Sequence, residues 1–180
     1  MKKIHHHVLT LAALLLAAGT AGAATVLCRS GELLAAEFST RQPEGTARAV
    51  ERFTNLPAKR IYAAVTLRPA PGRAVSIYDY TLCAFDRDMP CIGLSLDGRK
   101  IDPSLKELPA ARFNGGKSCT LYFVLDGTLL GIKKVEAVRL RCNFAPESIR
   151  DQRILLTNRG GDAFTPAASI PARGMMATQQ

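Results

Sequence analysis

The sequence predicts an all-β domain, and an antiparallel β-sandwich of immunoglobulin-like arrangement in particular. Three observations lead there. Short runs of alternating apolar and polar residues recur along the chain. Turn-forming Gly, Pro and Asp separate them. Only one short helix is legible, and no segment repeats. A small β-barrel satisfies the same observations and is the alternative. The core tryptophan of true immunoglobulin domains has no counterpart, because the chain contains none.

The N-terminus precedes the domain. Lys2 and Lys3 are followed by an apolar run from Val8 to Ala18 and by the small-residue site Ala21-Gly22-Ala23. This is the layout of a secretory signal peptide, with cleavage expected after Ala23. The apolar run is shorter than the ~20 residues a spanning helix needs. Residues 24–158 are then the domain and 159–180 a flexible tail rich in Gly, Ala, Pro, Thr and Gln. The implied location is periplasmic or secreted, with no transmembrane segment left after cleavage.

The clearest strand covers 61–68, where Ile61, Ala63, Val65 and Leu67 alternate with Tyr62, Ala64, Thr66 and Arg68. Pro69-Ala70-Pro71-Gly72 ends it, since proline cannot donate to a ladder. Further alternating runs span 74–85, 91–96 (stopped by Asp97-Gly98), 118–125 and 135–144. Weaker candidates lie at 25–30, 34–40 and 152–158, and Thr46–Phe53 fits helix and strand equally poorly. The helix is expected at Pro103–Leu108. Proline suits its opening turn, and Ser104 and Glu107 have capping-box spacing.

Five cysteines lie beyond the cleavage site: Cys28, Cys83, Cys91, Cys119 and Cys142. Export exposes them to an oxidising compartment, so disulfides are the default. Opposing Cys119 to Cys142 brings Leu121 to Leu140 and Phe123 to Val138, apolar against apolar, and predicts a buried bridge. Opposing Cys83 to Cys91 brings Leu82 to Ile92 and Tyr80 to Leu94, and predicts an outward bridge stapling residues 84–90. Cys28 is left unpaired in this scheme. A pairing of Cys28 with Cys119 or Cys142 is equally compatible with spacing.

The residues beyond position 23 narrow the chemistry. All three histidines stand at positions 5–7. Nucleophilic triads and zinc hydrolase sites that depend on imidazole are therefore excluded from the cleaved chain. Without CxxC, neither a thioredoxin-type site nor a zinc ribbon is supported. Gly116-Lys117-Ser118 lacks the leading glycine of a phosphate loop, since Ala111 stands there. Asp86 and Asp88 sit too close along one loop to flank a sugar, and two aspartates fall short of a calcium shell. No catalytic residue, cofactor or metal ligand is assigned.

Charge points to binding. Losing Lys2 and Lys3 reduces the chain's +9 to +7, which favours acidic partners. Two candidate surfaces emerge. One is the loop residues Phe85, Asp86, Arg87, Asp88 and Met89, whose aromatic, Arg and Met side chains suit interface cores. The other is a basic sheet face of Arg48, Arg52, Arg68, Arg139 and Arg141, with Tyr62 and Tyr122 outward by parity. The expected function is an exported, non-catalytic binding or accessory protein of the cell envelope. It would contact an envelope or secreted protein or an anionic polymer; nucleic acid is disfavoured by export. Two alternatives stand beside it: an inhibitor of a secreted enzyme, and a histidine-independent hydrolase using carboxylates or Ser/Lys.

Overall fold

The computed structural model describes residues 25–27, 30–53, 55–84, 87–98, 100–102, 104–128 and 137–170. The expected signal peptide, Cys28, Phe85, Asp86 and the last ten residues of the expected tail lie outside these.

The chain is mostly β, as the alternating runs predict. Its strands are β1 (Thr25–Leu27), β2 (Gly31–Ser39), β3 (Arg60–Pro69), β4 (Val75–Ser76), β5 (Tyr80–Ala84), β6 (Arg87–Leu96), β7 (Glu107–Leu108), β8 (Cys119–Asp126), β9 (Ala137–Cys142), β10 (Asp151–Leu155) and β11 (Thr157–Asn158). Among the described residues one α-helix, α1 (Thr46–Val50), resolves the ambiguous segment. The main sheet runs β1-β2-β3-β8-β6-β5-β9-β10, and β11 then pairs with β2. The sheet thus curls until its last strand nearly meets its second, approaching a closed barrel. Among the described residues every pairing is antiparallel except β11 with β2, a parallel contact of Thr157 with Glu37 and Asn158 with Phe38. β4 and β7 form a separate two-stranded ribbon.

Side-chain parity fills the interior. Val65, Leu67, Leu82, Leu94, Leu121, Phe123, Leu125 and Leu140 are fully buried in one core inside the curl. A second cluster lies outside it, on the outer face of β3, β8 and β6. It contains Tyr62, Ala64, Ile92, Tyr122 and Val124, covered by Val50 of α1 and by Ile101. Strand β3 is therefore buried on both faces, from Ile61 to Leu67. That explains its near-continuous apolar run.

Two expectations about elements are corrected. No helix forms over 104–108. The Asp102 carboxylate accepts the Ser104 N–H (2.8 Å) and hydroxyl (2.6 Å), a local turn, and Glu107–Leu108 pair with β4 instead. A 3-10 turn comes next, at Ala110–Phe113. The start of the expected flexible tail, 159–170, is docked. Arg159 N–H donates to the Phe38 carbonyl (2.8 Å) and Thr40 N–H to the Gly160 carbonyl (2.8 Å). Glu37, on the outer face of β2, accepts the Thr165 N–H (2.8 Å) and hydroxyl (2.6 Å). Phe164 meets Tyr122 edge-on, with ring centroids 6.1 Å apart. Residues 157–170 are thus a strap over the second cluster. Gly98 permits its close approach. With φ +69° it turns where other residues rarely do, and a Cβ there would lie 2.7 Å from the Ala167 nitrogen.

Candidate functional site

The hairpin of β5 and β6 is tighter than the cysteine spacing suggests. Ala84 opposes Arg87, so the ladder already includes Arg87 to Pro90. Cys83 opposes Asp88, and the expected partner Cys91 lies three places further on. An odd shift reverses parity. Cys83 points outward, among charged side chains, while Cys91 joins the interior core. Two cysteines on opposite faces of a sheet cannot be bridged without moving backbone. The expected Cys83–Cys91 staple is therefore absent.

The Cys119–Cys142 pairing is also not formed. Strand β8 lies between β3 and β6, so Cys119 opposes Leu67 and Leu96, whereas Cys142 opposes Tyr80. Both point inward as expected, but from strands that are not neighbours. Cys83, Cys91 and Cys119 are free and buried thiols, and Cys142 is buried as well. Burial pushes the Cys91 thiol up to about 12 and, helped by the neighbouring Asp88, the Cys83 thiol up to about 11. Such groups are poor nucleophiles near neutral pH.

The predicted basic face divides. Arg48 on α1 and Arg52 just beyond it are exposed beside the covered cluster. Arg68 on β3 pairs with Glu32 and also donates to the Gly116 carbonyl (3.1 Å). Arg139 and Arg141 lie on β9, separated from β3 by β8, β6 and β5. Tyr62 and Tyr122 do face outward, but they are buried at 5% and 7% exposure beneath α1 and the strap. Burial raises both phenols. No single surface joins the five arginines and two tyrosines.

One part of that face is coherent, and it also takes in the exposed residues of the predicted loop. Across β6, β5, β9 and β10, one rung carries Asp88, Cys83, Arg139 and Arg153. The next carries Pro90, Thr81, Arg141 and Asp151. Arg141 donates to Asp88 (2.7 Å) and to Asp151 (3.0 Å), joining the rungs. A hydrogen bond from the Cys83 thiol, then the Arg141 guanidinium, hold the Asp88 carboxyl below its ordinary range. Arg87 reaches Asp126 at 3.4 Å and is 68% exposed. Met89 is different: it points into the core and offers nothing to a partner.

Arg139 and Arg153 are the distinctive pair, and sequence reading missed Arg153. They are directly opposite on antiparallel strands and both exposed. Like charges in this position repel. Asp151, the nearest carboxylate, is 3.9 Å from Arg139 and already accepts from Arg141. Among the described residues Arg153 has no ion-pair partner. Leu155, next along the same outward face, is 69% exposed. The alternation Arg139/Leu140/Arg141 against Asp151/Gln152/Arg153/Ile154 carries the signal, but only once the register of β9 with β10 is known.

No protein-family model, curated protein or solved structure matches the chain.

Proposed function

We propose that this chain is an exported, non-catalytic binding module that holds an anionic partner of the envelope or secreted space on the outer face of β9 and β10. The observation that carries the reading is the Arg139–Arg153 pair. Two exposed guanidiniums lie opposite each other; Asp88 and Asp151 both accept from Arg141, and Arg139 reaches only the second oxygen of Asp151, at 3.9 Å. An anion bound between them removes a repulsion and gains charge-assisted hydrogen bonds. A strand scaffold fixes their spacing, so little order is lost on binding.

Other features support the non-catalytic part. The shifted carboxyls Asp88, Asp102 and Asp126 are all held low by hydrogen bonds, and the shifted thiols and phenols are all raised by burial. None of these groups is brought toward neutral pH, where an acid–base catalyst works best. Export rests on the Lys2-Lys3, apolar, Ala21-Gly22-Ala23 sequence.

The test uses heparin as the anionic probe. Binding should weaken steeply with salt. Losing two charge-assisted contacts in Arg139→Glu/Arg153→Glu should weaken it at least about tenfold. Arg48→Glu/Arg52→Glu, on another surface, should change it little. Salt-insensitive binding, or equal losses in the two double variants, would overturn the reading.

A further inference from the structure

A second site is built around Arg73, and none of its described lining residues belongs to β9 or β10. A tight turn sets this arginine. Its N–H donates to the Ala70 carbonyl (3.1 Å), with Pro71 and Gly72 between them. Gly72 has φ +75°, the positive value a type II turn requires at its third position. The guanidinium lies over the Phe144 ring, its carbon 3.5 Å from the ring centroid. Phe144 in turn meets Tyr80 edge-on, with centroids 5.7 Å apart. A turn at one end and a braced aromatic at the other hold the side chain in place.

This fixed cation has no counter-ion. Among the described residues Arg73 makes no ion pair, and its Nε is buried without a hydrogen-bond acceptor. Part of the guanidinium is thus out of water, where a charge gains more from an opposite charge than it does in solvent.

The group lines an open cleft of about 560 Å³. Ala70, Gly72 and Ala74 give the cleft small walls, while Asp79 and Glu107 bring carboxylates. Asp79 is fixed as well. One of its oxygens accepts the Ser76 N–H (2.8 Å), and its own N–H returns to the Ser76 carbonyl (3.1 Å). Glu107 opposes Ser76 across the ribbon of β4 and β7. The cleft therefore presents a guanidinium and two carboxylates that do not pair with one another. A simple anion would face the carboxylates, and a simple cation the guanidinium. A ligand with a charge of each sign at its two ends satisfies both.

We infer that this cleft binds a short zwitterionic peptide by its termini. The terminal carboxylate pairs with Arg73, whose planar fork matches it. The terminal ammonium is taken by Asp79 and Glu107. The small walls select small side chains, and the volume accommodates a dipeptide.

The probe is L-alanyl-L-alanine, titrated into the 15N-labelled chain. The Arg73, Ser76 and Asp79 amides should shift. Acetylating the peptide's amino end or amidating its carboxyl end removes one charge, and each should weaken binding about tenfold. Arg73→Gln should bind dialanine no more tightly than its amide, a loss of discrimination that a merely structural role would not produce. The blocked peptides decide the matter if that variant does not fold. No shift at millimolar peptide, shifts confined to residues outside the cleft, or equal binding of all three peptides would each overturn the inference. Arg139→Glu/Arg153→Glu should leave dialanine binding unchanged, so this test is independent of the heparin result.

Discussion

The outer face of the curled sheet has two halves built on the same ladder and used in opposite ways. Over β3, β8 and β6 it is apolar and covered: Tyr62, Ala64, Ile92, Tyr122 and Val124 lie under α1 and the strap. Over β5, β9 and β10 it is charged and open, with Arg139, Arg141, Asp151 and Arg153 in rungs. The difference is written in the strands. Ile61 to Leu67 contains no charged residue, so both of its faces require cover. Val138-Arg139-Leu140-Arg141 alternates strictly and requires cover on one face only. A continuous apolar run thus marks where the chain must return upon itself, and strict alternation marks where one face is left open to solvent.

The sharpest way to break this contrast is to truncate one apolar side chain on each half. Ile92→Ala, in the covered cluster, should cost about 2–5 kcal/mol in urea unfolding. Leu155→Ala, on the open half, should stay within about 0.5 kcal/mol. Equal effects would mean that the two halves are not distinguished by burial. A smaller change targets the cover itself. Glu37→Ala leaves the Thr165 N–H and hydroxyl without their acceptor. It should cost about 1–3 kcal/mol. Amide exchange should accelerate in residues 157–167 while β9 and β10 keep their protection.

The smallest effect expected is on the open half, with acid. The Asp88 carboxyl is depressed when folded. Its contribution is therefore present above the unfolded value of about 3.9 and is lost as pH falls through the folded one. With 57% of its side chain exposed, solvent screens much of the interaction. Thermal melts should show Asp88→Asn with a slightly shallower decline below about pH 4 than the parent chain. A steeper decline would reverse the sign argued for this ion pair.

The strands were legible because their signals are local. The run at 61–68 became β3, 118–125 became β8 and 135–144 contains β9, with Cys119, Leu121, Phe123 and Leu125 inward as parity requires. The cysteine pairings were not legible, because register is not local. The hairpin ladder sets Cys83 against Asp88, three places short of Cys91, and the strand order keeps β8 from β9. Alternation alone cannot announce either. Closure was equally hidden. It depends on two residues of β11 and on Glu37, which reads as an ordinary solvent-facing acid until Thr165 is placed against it. Of the candidate surface, Arg87, Asp88, Arg139 and Arg141 were found from the sequence. Arg153 was missed, because its meaning comes from the strand beside it.

The latch between Glu37 and Thr165 spans 128 positions. During synthesis, the second strand emerges long before the residues that complete its hydrogen bonds. Pairing so distant in the chain closes slowly. The curl can therefore close only after nearly the whole chain has appeared, and the last strand sets the moment at which it does.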